Sequence, residues 1–323
     1  MACARKGLRP SDNGVMNTPT LPGGLLAVDW GTSSLRGALL TADGQVQDER
    51  RFERGILTVQ PGQFAPVFQQ CFGDWMQPGT LCLMSGMVGS RQGWQEAPYC
   101  PCPAGFADLV AHLHWLEPGR LAIVPGLSQA ARGAEPPDVM RGEETQVFGA
   151  LSLLGLDSAR VVHPGTHSKW VRAEGGRITG FSTWMTGEFY ALLRHQSLLA
   201  RTLPAEEPGP DAPAFEAGVR RALDGAGLLH AVFGVRTLSL FDGLAAEALP
   251  SYLSGLLVGE ELRCQSLTPG EEVVLVGADK LTARYSQALA LLGVQARTVG
   301  DAATWQGLHG IAQAWRGQAC SKE

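Results

Sequence analysis

The chain has 323 residues, 26 basic against 31 acidic side chains, a formal net charge of -5 and 45% hydrophobic residues. That length suits two domains of about 150 residues each, and a charged fraction of 18% excludes a disordered polymer. No apolar run is long enough to span a bilayer, and no basic block marks nucleic acid as a partner.

Residues 1–22 are polar and rich in turn formers. They read as a disordered leader, with Met16 as an alternative start, and they lack the apolar core of a signal peptide. The expectation is therefore a cytoplasmic protein. A strand is predicted over 25–29, ending in Asp29, followed by Trp30-Gly31-Thr32-Ser33-Ser34 and a second strand over 35–41. Asp43-Gly44 signals a hairpin, returning as a third strand over 45–52. The Gly-Thr turn thus joins strand to strand, whereas a Walker-type loop leads from strand into helix.

Residues 81–84 form a short apolar strand opening into Ser85-Gly86-Met87-Val88-Gly89-Ser90, and 121–124 form another. Gly142-Glu143-Glu144-Thr145-Gln146 starts a helix with Val147, Leu151 and Leu154 on one face, ended by Gly155. The opening pattern then recurs. A strand over 160–163 meets Pro164-Gly165-Thr166-His167-Ser168, and a second strand over 169–172 reaches Gly175-Gly176 before a third over 178–185. The two Gly-Thr pairs lie about half a chain apart, which predicts two related lobes. Helices are predicted over 187–200, 214–223 and 250–262, with 203–213 a loop of local mobility. A strand over 273–276, Gly277-Ala278-Asp279, a helix over 280–292 and a strand over 294–299 follow. Asp301 is placed as N-cap of the last helix.

Asp29 with Gly31, Thr32 and Ser33 has what a phosphate site needs: close backbone N–H groups, small hydroxyls, and a carboxylate to hold Mg²⁺ through water. An ordinary hairpin with an Asx-type turn accounts for the same residues. A second turn at Gly165-Thr166 facing the same cleft would grip phosphates from the other side. Glu143 or Glu144 can serve as general base for a substrate hydroxyl, although a helix N-terminus favours acids in any case. Gly277 and Ala278 can support an adenine ring, and a plain strand-to-helix turn reads the same way. Ser85, Gly86, Met87, Arg91, Trp94 and Arg141 are candidates for substrate contact, with Arg91 or Arg141 pairing an anionic group. Only four basic residues are lysine, and the two internal ones, Lys169 and Lys280, fall beside the two later glycine turns. Lys169 is accordingly assigned to the nucleotide.

His112 and His114 read as solvated, and His163 and His167 lack metal-ligand partners at helical spacing. The seven cysteines include Cys100-x-Cys102, but no second pair at zinc spacing, and the dispersed ones read as buried or idle thiols. No Gly-x-Ser-x-Gly, His-Glu-x-x-His or Gly-x-Gly-x-x-Gly motif is present.

Together these motifs resemble the acetate and sugar kinase, heat-shock protein and actin superfamily. Residues Leu26-Ala27-Val28-Asp29-Trp30-Gly31-Thr32-Ser33 resemble its first phosphate motif, Gly165-Thr166 the second and Val276-Gly277-Ala278 the adenosine motif. Met87 stands where carbohydrate kinases of that branch have Gln, and Gly142-Glu143-Glu144-Thr145-Gln146 where they carry Gly-Asp-Gln-Gln. A closer resemblance, over about 24–315, is to the 2-dehydro-3-deoxygalactonokinase family. It rests on Ser85 to Ser90, Gly93-Trp94, Ala97-Pro98-Tyr99, Val124 to Leu127, Met140 to Gln146, Pro164 to Val171, Met185-Thr186-Gly187-Glu188 and Leu281 to Tyr285. Here Ala278-Asp279-Lys280 follows Gly277, where the family often has a small hydroxyl residue.

The resemblance implies an α/β protein of two ribonuclease-H-like lobes with a nucleotide cleft, divided as 23–140 and 141–323. It implies ATP and Mg²⁺, phosphorylation of the 6-hydroxyl of the sugar acid 2-dehydro-3-deoxy-D-galactonate in galactonate breakdown, and Glu143 as base. Glu144, Asp29 and Glu188 are the fallback bases. The alternatives are a kinase of another 3-deoxy keto acid or a ketose, and a non-catalytic nucleotide-binding module. Nothing in the residues fixes the assembly, for which a homodimer stands as the expectation.

Overall fold

The computed structural model describes residues 24–320, so the leader predicted over 1–22 lies outside the described residues. Strands β1 (Leu25–Trp30), β2 (Leu35–Leu40) and β3 (Val46–Phe52) run as an antiparallel meander. Helix α1 (Phe64–Phe72) leads to β4 (Leu81–Ser85), which pairs parallel with β1. After β5 (Cys100–Pro101) and α2 (Phe106–Ala111), β6 (His114–Glu117) and β7 (Leu121–Ile123) complete a sheet ordered β3-β2-β1-β4-β7-β6. Strands β8 (Leu127–Gln129) and β9 (Asp138–Met140) join β5 in a small sheet, and β9 delivers the chain to α3 (Glu143–Leu154).

The second half repeats the plan. Strands β10 (Ala159–His163), β11 (Ser168–Glu174) and β12 (Arg177–Trp184) form the meander. Helices α4 (Thr186–Gln196), α5 (Ala212–Leu223), α6 (Leu228–Ala231), α7 (Phe233–Leu240) and α8 (Leu249–Arg263) follow. Then β13 (Glu272–Val276), α9 (Asp279–Ala290), β14 (Gln295–Val299) and α10 (Ala302–Cys320) close the chain. The sheet order is β12-β11-β10-β13-β14, with β13 parallel to β10. Both sheets therefore share a common plan, an antiparallel three-stranded meander with two parallel strands added beside its first strand, to which the first sheet adds β6 antiparallel at its edge: two ribonuclease-H-like lobes.

Burial follows sheet position. Strand β4 is buried along its whole length and β1 at every residue but Asp29, because helices cover both faces of a central strand. Edge strand β3 carries Asp48, Glu49, Arg50 and Arg51 and is largely exposed, which discourages edge pairing.

Helix α10 departs from a division at residue 140. It packs across β1, β2, β4 and α2 of the first lobe as well as on α3. Its Trp305, Leu308 and Ile311 share one apolar cluster with Leu25, Ala27 and Leu83. Two glycines allow the close helix pair: a Cβ at Gly149 would fall 1.8 Å from Ala303 O, and one at Gly307 1.9 Å from Thr145 O. Helices α3 and α10 thus form a layer between the sheets. Among the described residues no helix is long and apolar enough to cross a membrane. Cys71, Cys82 and Cys100 are buried, whereas Cys264 is exposed.

Candidate active site

Three chain segments converge at the C-terminal ends of β1 and β4. Gly86, at φ 95°, lets the turn after β4 fold onto β1: a Cβ there would lie 2.9 Å from Trp30 O and 3.0 Å from Asp29 Oδ1. Gly142, at φ 108°, brings the start of α3 onto the same turn, its virtual Cβ 3.1 Å from Gly86 Cα. Neither position accepts a side chain without strain. Ser85 Oγ donates to Thr145 Oγ1 at 3.0 Å and locks β4 to α3. The predicted Asp29, Ser85, Gly86 and Glu143 are therefore brought together.

The two acids at the start of α3 differ. Glu143 is half-buried, and its Oε2 accepts from Arg141 N at 3.0 Å. Glu144 is fully buried, accepting from Gly142 N at 2.7 Å and from Thr145 Oγ1 at 3.2 Å. Burial, reinforced by the neighbouring Glu143 charge, raises its carboxyl to about 8. Glu144 is thus a buried internal brace that holds its proton, and Glu143 is the acid left partly exposed. Since the folded state holds on Glu144 a proton that the unfolded chain loses near its ordinary value, stability falls as pH rises from about 4.5 to about 8. Glu144→Gln is expected to flatten that fall; melting temperatures at pH 5, 7 and 9 check it, and an unaltered slope would refute it.

Asp29 is held from behind. Arg36 Nε pairs with Asp29 Oδ2 at 2.9 Å, while Arg36 Nη1 reaches Asp301 Oδ1 at 2.7 Å and Nη2 donates to Thr304 Oγ1 at 3.0 Å. Burial raises the Asp29 carboxyl pKa and Arg36 opposes the rise. Asp301, expected only as a helix cap, spends its carboxylate on Arg36 and Arg51. The first Gly-Thr turn is closed by Gly31 N donating to Ser34 O at 2.9 Å, with Thr32 and Ser33 exposed. It is braced by Ile56 N on Gly31 O at 3.0 Å.

From the second lobe, β10 ends in His163, whose Nε2 hydrogen-bonds Gln146 Oε1 at 2.6 Å and so joins α3 to the second turn. Burial lowers the pKa of this imidazole against the pull of Glu143 and Asp29. Gly165 and Thr166 follow immediately. Gly187 lets the N-terminus of α4 abut them, its virtual Cβ 2.4 Å from Gly165 O, and Glu188 N donates to Thr166 O at 3.0 Å. Such a helix start offers free N–H groups to an anion. Gly277, at φ 146°, faces the same turn, its virtual Cβ 3.7 Å from Pro164 O. Ala278 and Lys280 are exposed beside it. A cavity of about 70 Å³ opens here, lined by Gly165, Gly187, Tyr190, Ser254, Arg284 and Tyr285 among others.

Three sequence assignments change. Lys169 lies within β11, buried, its Nζ donating to Val139 O at 3.1 Å and Thr183 Oγ1 at 2.8 Å, so it braces strands instead of facing a phosphate. Arg91 is exposed and paired with Glu96 at 3.1 Å, outside the convergence. Trp94 packs on Trp30 and Phe68 as part of the wall beneath the turn that carries half-buried Met87. Arg141, by contrast, is buried over the Tyr99 ring at 4.3 Å, donating from Nη2 to Ala97 O at 2.8 Å. Its Nε and Nη1 have no partner. Residues without an assigned role in the sequence reading are Arg36, Thr145, Gln146, His163 and Gly187. All but Arg36 sat inside or beside the quoted motifs, and that proximity was the available signal.

Paired ribonuclease-H-like lobes, each with a Gly-Thr turn after the first strand of its meander, define a protein of the sugar-kinase type. The model of the 2-keto-3-deoxy-galactonokinase family matches residues 29–311, and the chain belongs to that family of phosphotransferases. It is 37% identical to the 2-dehydro-3-deoxygalactonokinase of Escherichia coli K12 over 90% of this chain and 97% of that protein. It is 38% identical to a Rhizobium meliloti 1021 relative assigned the same activity, over 91% and 98%. A crystal structure from Sinorhizobium meliloti, assigned to the 2-dehydro-3-deoxygalactonokinases, superposes with a TM-score of 0.81 at 36% identity, covering 91% of this chain and 99% of that one.

Proposed function

We propose that this chain transfers the γ-phosphoryl group of ATP to the 6-hydroxyl of 2-dehydro-3-deoxy-D-galactonate, in the cytoplasm, as a step of galactonate breakdown. The observation that carries the reading is the convergence of Asp29, Gly86 and the start of α3, which His163 ties through Gln146 to the strand leading into Gly165 and Thr166, in a chain of this family. Glu143, half-buried and unprotected by a cation, accepts the proton of the attacking hydroxyl. The N–H groups of the first turn, with Thr32 and Ser33, and those around Gly165 and Thr166 hold the phosphate chain in line. Gly277 and Ala278 flank the adenine end. Closing the lobes would exclude water from this cleft.

Among the described residues no group of three His, Cys, Asp or Glu is placed to hold a metal ion. A single carboxylate, Asp29, fits Mg²⁺, which keeps several waters and takes its other ligands from phosphate oxygens. Bound there, the ion would neutralise charge developing on the phosphoryl oxygens.

The substrate carboxylate is assigned to Arg141, because a buried guanidinium with two unpartnered nitrogens calls for an anion. Arg141→Ala is expected to raise KM for the keto acid by about 10–100-fold, the worth of a charge-assisted hydrogen bond. Arg91→Ala should stay within about twofold. Equal effects of the two would reject the assignment. The activity itself is checked by coupled ADP release across 3-deoxy keto acids and ketoses, with 2-dehydro-3-deoxy-D-galactonate expected to be turned over fastest. Faster turnover of a ketose would move the substrate, and ATP binding without transfer to any acceptor would make the protein a nucleotide-binding module.

A further inference from the structure

The segment joining α4 to α5 was expected to be mobile, yet it is fastened from inside. Arg194, 3% exposed, donates from Nη2 to Pro204 O at 3.0 Å and Glu206 O at 2.9 Å, and its Nε pairs with Glu207 Oε2 at 3.0 Å. Tyr190 Oη donates to Glu207 Oε1 at 3.1 Å, and Arg284 Nη2 stands 4.0 Å from the same oxygen. Burial pushes the Tyr190 phenol up to about 12, so it remains a donor at neutral pH.

Tyr190 and Arg284 also line the 70 Å³ cavity beside Gly165 and Gly187. Glu207 is thereby tied to two residues in the wall of that cavity, which Gly165 of the second Gly-Thr turn also lines. Half of its side chain is exposed, and its two oxygens keep lone pairs beyond those used by Tyr190 and Arg194. A fixed carboxylate beside a cavity that a phosphate-holding turn also lines matches the vicinal hydroxyls of a ribose, which carboxylates bind in other nucleotide sites.

We propose that Glu207, positioned by Arg194 and Tyr190, accepts hydrogen bonds from the ribose 2′- and 3′-hydroxyls of the nucleotide donor and makes the protein selective for ribonucleotides. This rests on the ATP-dependent reading given above. Without those hydroxyls, the carboxylate faces no donor, and the deoxynucleotide binds more weakly.

The test compares initial rates with ATP, 2′-deoxy-ATP and 3′-deoxy-ATP in the full-length protein, Glu207→Gln and Glu207→Ala. The unaltered protein is expected to favour ATP over each deoxynucleotide by about tenfold in kcat/KM. Glu207→Ala should raise KM for ATP by about tenfold with kcat within twofold, while KM for 2′-deoxy-ATP and for 3′-deoxy-ATP, each of which keeps a single hydroxyl, rises less than KM for ATP. Glu207→Gln, which keeps an acceptor oxygen, should fall between them and separates loss of the contact from disorder of the segment. Equal use of ATP and the deoxynucleotides by the unaltered protein, or an equal loss toward all three in both variants, would overturn the proposal. Absence of any ATP turnover in the unaltered protein would overturn the kinase reading and this proposal with it.

Discussion

Glu143→Gln is expected to lower kcat by about 10²–10⁴, the usual contribution of a general base. The amide is nearly isosteric and keeps an oxygen for Arg141 N, so the turn at Gly142 survives and KM should change little. The contrast with Glu144 sharpens the test. Glu144 is sealed beneath Gly142 and Thr145, cannot reach a substrate hydroxyl and carries its own proton, so Glu144→Gln should retain most of the activity. Steady-state rates of both variants, with circular dichroism to confirm folding, decide the matter. Turnover of Glu143→Gln within tenfold of the unaltered protein would remove the base assignment and turn attention to Asp29 or Glu188. Glu188 is the weaker of these, because its carboxylate is engaged by His167.

The second large effect concerns stability. Glu261, on α8 and 1% exposed, accepts from Ser168 Oγ at 2.7 Å, Trp170 Nε1 at 2.6 Å and Tyr285 Oη at 2.7 Å, and also from Thr186 Oγ1. Four donors from β11, α4 and α9 therefore answer one buried carboxylate, with no cation among them. Burial raises its carboxyl pKa, and the four hydrogen bonds resist the rise. Glu261→Ala leaves those donors unanswered in an apolar setting, and a loss of about 3–5 kcal/mol is expected. Urea unfolding measures it, and a loss under about 1 kcal/mol would contradict the role assigned. Thr186 opens α4, whose N-terminus carries Gly187 against Gly165, so a rise in KM for the nucleotide should accompany the lost stability.

Much of this architecture is legible in local sequence. The repeated pattern of apolar strand, Gly-Thr turn, strand, glycine turn and strand set both meanders, since strand alternation and turn chemistry act over a few residues. Val147, Leu151 and Gly155 marked α3 and its end in the same way, and Gly155 does adopt the left-handed C-cap. Helix α1 escaped notice although Phe64, Phe68 and Phe72 recur at helical spacing. The short α6 carries no such signal, because helices of this length are stabilised by packing rather than by propensity.

The sequence by itself determined which residue types could meet phosphates and where they lay along the chain. It could not choose between Glu143 and Glu144, or between Arg91 and Arg141. The members of each pair are the same residue type, and burial separates them. The tertiary structure also drew Lys169 into a strand and carried α10 back across the first lobe to place Asp301 on Arg36. It tied Glu207 to Arg194 and to Tyr190, which lines the small cavity beside Gly165. Each of these contacts joins residues that lie on different elements or in the loops between them. They depend on how helix and sheet faces exclude water together, which no local pattern encodes.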